Sequence, residues 1–178
     1  YQNTRFSEDL DFDNFDLSTS DFDQVADEIG IELRKLGLNV ELENVFRGAY
    51  HCYIKFPGLL YQTGLSGHKD QKILIQLDTE NQGFAYQPKL KFINKFDVFC
   101  SVPTTPQDIL LAQKFYAVFN RKQPKGRDFF DITFLMGLDV KPNYAFLEQK
   151  TGISNPEMLR ERILDHCKTL DFEYLAND

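Results

Sequence analysis

The apolar positions of this chain keep two different rhythms. Through residue 104 they mostly alternate with polar ones, the period of a strand; from Thr105 onward they recur every three or four positions, the period of a helix. Alternation is sharpest at the start, where Asp9, Asp11 and Asp13 fall on one face of an extended strand and Leu10 and Phe12 on the other. One helical stretch interrupts the first part. Ser20 or Asp21 is placed to cap it, Val25, Ile29 and Leu33 form its apolar stripe with Ala26 and Leu36, and Gly37 stops it. Residues 39–46 and 50–56 read as successive strands. So does QKILIQLDTE, in which Ile73, Ile75 and Leu77 share one face and Leu74, Gln76 and Asp78 the other. Residues 89–93 and 98–102 are weaker strand candidates. Thr105, Pro106 and Asp108 then mark a helix start with Pro at the first helical position, and Leu110, Leu111, Phe115, Val118 and Phe119 give its stripe. Further helices are predicted over 127–137, 143–150 and 156–175. Strands first and helices after imply an α+β fold, residues 1–104 forming a mixed core and residues 105–178 a helical C-terminal part.

Composition changes this picture little. The chain of 178 residues is long enough to bury a real core, no apolar run approaches membrane-spanning length, and no basic-then-apolar leader opens it. Cys52, Cys100 and Cys167 are odd in number and widely spaced, which argues for a reducing compartment, with cytoplasm as the default. Charge changes it more. The net charge of −7 is unevenly spread: no Lys or Arg occurs between Glu8 and Glu32, whereas Lys114, Arg121, Lys122, Lys125 and Arg127 follow one another without an acid between Ile109 and Arg127. This is either two solvated faces of opposite sign or a cation-binding end and a phosphate-binding end.

Three places carry candidate chemistry. Asp9 and Asp11, two positions apart on a strand, can share a hard divalent cation, and their mutual repulsion is relieved only by a cation or a proton. A third acid, Asp78, ends another apolar strand; three carboxylates holding two Mg²⁺ about 3.5–4 Å apart are the usual apparatus of in-line nucleotidyl transfer. A calcium loop over Asp9, Asp11 and Asp13 is a poor alternative, because it needs Gly at Asn14 and Glu at Ser20. Lys114 has only apolar helical neighbours, Leu110, Leu111, Ala117 and Val118, so it snorkels, pairs with an acid or reaches a phosphate. In KGRDFFDITFL the helix dipole suffices for Asp128, and Arg127 can pair with Asp131 at i, i+4. Asp131 lies a turn deeper among aromatics and needs a partner, for which Lys114 is the obvious choice. His51, Cys52, His166 and Cys167 lack metal-site spacing and read as ordinary core or surface residues.

RFSEDLDF, KILIQLD, LLAQKFYAVFNR and GRDFFDITFL, in that order, resemble the AbiEii-type nucleotidyltransferases, toxin components of abortive-infection toxin–antitoxin pairs on a DNA-polymerase-β-like fold. The resemblance runs from Thr4 to about Leu138. It implies a polymerase-β-like core that moves a nucleotide from an NTP to an acceptor such as tRNA, with Mg²⁺ at Asp9, Asp11 and Asp78 and a cognate antitoxin as partner. It also places Arg5 and Ser7 before the first acids, Lys114 in the lysine motif and Arg127, Asp128 and Asp131 in the last, leaving open which of the two acids acts. The family's Gly-rich turn, whose backbone amides hold the triphosphate about a dozen residues before the first Asp, is not in this chain, which therefore reads as a fragment. The alternative function is a catalytically silent binding module on the same fold.

Overall fold

The computed structural model describes residues 9–175. The chain divides into two compact units, Tyr1–Ala85 and Tyr86–Asp178. The division falls earlier than the 104/105 boundary expected from the change of rhythm, because the weak strands pair with each other and cluster with the helices that follow. Among the described residues the elements are α+β, as expected, with six strands and seven helices.

In the first unit, strands β1 (Asp9–Asp13), β2 (Glu41–Arg47), β3 (Ala49–Pro57) and β4 (Lys72–Glu80) form one sheet in the order β1-β4-β3-β2. β1 runs parallel to β4, and the other pairings are antiparallel. Helix α1 (Thr19–Lys35) covers one face, burying Phe22 and Ala26 against Val40, Cys52, Ile54 and Phe56. Its start corrects the sequence reading. Ser18 is the cap, its hydroxyl accepting from the Asp21 amide at 3.2 Å while the Asp21 carboxylate accepts from the Ser18 amide at 3.1 Å. Ser-x-x-Asp thus works as a capping box, with Asp21 at the third helical position rather than at the cap. The expected stripe holds in part: Ala26 is buried and Ile29 and Leu33 pack against the core, but Phe22 and Gly30 are buried as well, whereas Val25 and Leu36 are exposed. The approach is close at Gly30, where a Cβ would meet Leu42 Cδ1 at 2.6 Å and push that side chain aside. A short helix, α2 (Leu59–Gln62), leads into the loop before β4.

In the second unit, β5 (Lys89–Lys95) and β6 (Val98–Thr104) form an isolated antiparallel hairpin. Its two-residue turn is Phe96–Asp97, both at positive φ (53° and 60°). Asn-Gly is the usual choice there, and each non-glycine residue held in that region costs about 1–2 kcal/mol. Helix α3 (Gln107–Asn120) is the centre of the helical part, with Ile109, Leu111, Ala112, Phe115 and Val118 buried. Pro106 is its cap rather than its first helical residue. Against α3 pack α4 (Gly126–Gly137) and α5 (Tyr144–Thr151). Asn143 ties α5 to α3, donating from its backbone and side-chain amides to the Asp108 carbonyl and carboxylate, both at 3.0 Å. The single helix expected over 156–175 is two, α6 (Pro156–Cys167) and α7 (Phe172–Leu175). α7 ends against α4: a Cβ on Gly126 would lie 2.0 Å from the Leu175 carbonyl oxygen, so only glycine fits at the start of α4. No helix among the described residues is long and apolar enough to cross a membrane.

Candidate functional site

Residues paired across neighbouring strands share a face of the sheet, and the face changes at each residue. β1 sets Asp9 against Gln76, Asp11 against Asp78 and Asp13 against Glu80, and β3 sets His51 against Asp78. One face of the first unit's sheet therefore gathers Asp9, Asp11, Gln76, Asp78 and His51, while Leu77, Cys52 and Ile54 lie on the face that α1 covers. Asp11 and Asp78 occupy directly opposed positions on adjacent parallel strands. Asp9 stands two residues back along β1, opposite Gln76.

The Asp78 carboxylate is held in place. Gln76 Nε2 donates to both of its oxygens, at 3.0 and 2.9 Å, and His51 Nδ1 lies 2.7 Å from Oδ1. An ionised carboxylate only accepts, so Nδ1 carries the proton of that bond. His51 and Asp78 each keep about a quarter of the side chain in solvent. Cys52, next to His51 but on the other face, is fully buried, and burial first, then the charge of Asp27, push its thiol pKa up. It is an inert core residue. Among the described residues, no group of three or more His, Cys, Asp or Glu side chains is arranged to hold a metal ion. Asp11 and Asp78 nonetheless suit Mg²⁺, which takes hard oxygen donors and is commonly held by one or two carboxylates together with substrate phosphates.

The second unit carries its own charged cluster, built by α3 and α4. Lys114 Nζ lies 2.9 Å from Asp131 Oδ2 and 3.5 Å from Asp128 Oδ1, and Arg121 Nη1 lies 3.1 Å from Asp128 Oδ2. The pairing of Lys114 with Asp131 was expected from their apolar surroundings. The depth of Asp128 was not: it is only 1% exposed, so the helix dipole does not suffice for it, and it is the more buried of the two acids. Charge rather than hydrogen bonding holds it, since neither carboxylate oxygen meets hydrogen-bond geometry. Two cations and two acids make the cluster neutral, which is what allows it to be buried. Lys114 keeps 25% of its side chain in solvent.

Of the other residues singled out by the resemblance, Arg127 is exposed in the first turn of α4, and Arg5 and Ser7 lie outside the described residues. The sequence reading passed over three members of these clusters. His51 was legible from β3, where His51, Tyr53 and Lys55 alternate with Cys52, Ile54 and Phe56. Gln76 lies two residues before Asp78 on one strand face, and Arg121 lies two helical turns beyond Lys114.

No curated protein and no solved structure matches the chain. A protein family does, described as "Nucleotidyl transferase AbiEii toxin, Type IV TA system", and the match covers residues 1–173, extending through the C-terminal helices that the motifs alone did not reach. The chain belongs to the AbiEii family of nucleotidyl transferase toxins of type IV toxin–antitoxin systems.

Proposed function

We propose that this chain carries the machinery of a Mg²⁺-dependent nucleotidyltransferase that moves a nucleotide from an NTP to an RNA acceptor, with tRNA as the acceptor and a cognate antitoxin as its inhibitor. The observation that carries this reading is the opposition of Asp11 and Asp78 on one open face of the sheet, in a chain of the AbiEii family. Asp11 and Asp78, with Asp9 beside them, would hold the metal. When bound, it would supply Lewis-acid stabilisation of the charge that develops at the transferred phosphorus. Gln76 and His51 orient the Asp78 carboxylate and keep its oxygens from turning away. In the second unit the Lys114 ammonium is assigned to a nucleotide phosphate, and Asp131, 2.9 Å away, orients it. The free thiols and the absence of a membrane-crossing helix among the described residues suit cytoplasmic work.

The test is incorporation of label from α-³²P NTPs into total tRNA by the full-length protein. Asp11→Asn is nearly isosteric and removes one charge, so the fold should survive while transfer drops by about a thousandfold or more. Transfer retained by Asp11→Asn would refute the reading. A second reading, a silent binding module, draws on the lack of a ready-made metal cluster among the described residues. It predicts no incorporation by the wild type and no change in NTP binding when Mg²⁺ is removed.

A further inference from the structure

The β5–β6 hairpin is the most exposed apolar feature of the second unit, and neither charged cluster uses it. Its register puts Leu90, Phe92, Asn94, Phe99, Ser101 and Pro103 on one face. That face bears no charge, and Phe92 and Phe99 are 68% and 72% exposed. Their rings lie 5.9 Å apart with planes within 7° of parallel, a stacked aromatic pair that links the two strands. At the tip Phe96 is 95% exposed, in the left-handed conformation that a phenylalanine rarely adopts. A ring held out in water by a strained turn contributes nothing to the core, and strain of this kind gathers at functional sites. The charge pattern is as distinctive. The chain carries −7 overall, and its first unit has fifteen acidic residues against seven basic ones. The hairpin instead has Lys89, Lys91 and Lys95, all on β5, with Asp97 its one acid.

We infer that this hairpin is a platform for single-stranded RNA, with bases stacking on Phe92, Phe99 and Phe96 and phosphates following the lysine margin of β5. Every base has a face that an exposed aromatic ring can cover. The lysines are rooted on the opposite face, and their long stems let the ammonium groups reach the edge of the ribbon. The inference deepens the reading above by giving an RNA acceptor a place to bind.

The experiment is fluorescence anisotropy of a labelled, unstructured 12-nucleotide RNA with the full-length protein, across a salt series and without NTP. Phe92→Ala combined with Phe99→Ala should weaken binding about tenfold or more, with the salt dependence unchanged. Lys89→Gln combined with Lys95→Gln should reduce the slope of log affinity against log salt by about 1.4, two phosphate contacts' worth. A duplex of the same length should be insensitive to the phenylalanine change. All four side chains are solvent-exposed, so circular dichroism and Tm should match the wild type. The inference is overturned by the absence of RNA binding up to about 100 µM, the weak end of non-specific affinity. It is equally overturned by binding that both variants leave intact, or by variants whose only effect is a changed oligomeric state in sedimentation, which would make the hairpin a protein-docking face. Because the assay needs no transfer, an inactive wild type that still binds RNA through the hairpin would refute the enzymatic reading and leave this one standing.

Discussion

On the sheet, Asp78 keeps about a quarter of its side chain in water, and its partners are a glutamine amide and a histidine ring. In the helical unit, Asp128 keeps one per cent, and its partners are the full charges of Lys114 and Arg121. The first site gathers Asp9, Asp11 and Asp78 on one face of the sheet, with no Lys or Arg opposite Asp78 in the register. The second is neutral within itself. The sheet acids proposed to take a cation lie on the face opposite the core that α1 covers, so they can be changed without opening that core. In the second, the two acids are buried against cations that join α3 to α4, so they cannot be changed without cost to the fold. Activity and stability should therefore separate between the two units.

The sharpest way to break the comparison is Asp128→Ala. It strips both cations of a buried partner, and removal of one member of a buried ion pair typically costs about 3–5 kcal/mol. Urea unfolding of the full-length variant should show a loss of that size, with Asp11→Asn close to wild type in the same assay. Equal losses for both would mean that the sheet acids are as structural as the helical ones.

Lys114→Met is the finer probe, because Lys114 is the member of the buried cluster assigned a ligand. Asp128 keeps Arg121 at 3.1 Å, so the loss centres on the 2.9 Å pair with Asp131. A charge-assisted bond of that kind is worth about 1.5–3 kcal/mol, so the stability loss should be smaller than for Asp128→Ala. If Lys114 also serves a phosphate, NTP affinity measured by calorimetry should fall well beyond what the fraction of unfolded protein explains. Unchanged NTP affinity in the folded variant would confine Lys114 to the structural side of the comparison.

Much of this was readable in the chain because both clusters rest on local periodicity. Alternation set the face of each acid within its own strand, the β1–β4 register brought Asp11 opposite Asp78, and apolar helical neighbours called for a partner for Lys114. The misreadings share one cause, that depth is a property of packing and not of period. Asp128 and Asp131 sit three residues apart on the same helix, and nothing in KGRDFFDITFL says which of them faces the core. The same holds for α1, where Ile29 and Leu33 of the expected stripe pack on the core but Val25 does not, while Phe22, with Phe46 and Tyr50 around it, is buried. His51 was set aside because no metal spacing surrounded it; its partner lies 27 residues on, and only the β3–β4 register brings them together.

The smallest effect should come from a carboxylate more open than either cluster. Asp21 sits in the capping box of α1, where bonds from the Ser18 hydroxyl first, and from the Ser18 amide second, hold its pKa below the ordinary aspartate range. Ser18→Ala removes the first of these and the cap on the Asp21 amide, while the backbone bond survives. Loss of a serine cap typically costs about 1 kcal/mol, measurable as a small drop in Tm at neutral pH. The sign of the pH dependence follows from the lowered pKa. The contribution of Asp21 is present above its unfolded pKa and is lost as pH falls through the folded one, so the gap in Tm between wild type and Ser18→Ala should narrow on acidification below the ordinary aspartate range. It should not close, because the hydroxyl also accepts from the Asp21 amide, and that bond does not titrate. A gap that widens with acid would show that the exposed carboxylate opposes the cap rather than supporting it.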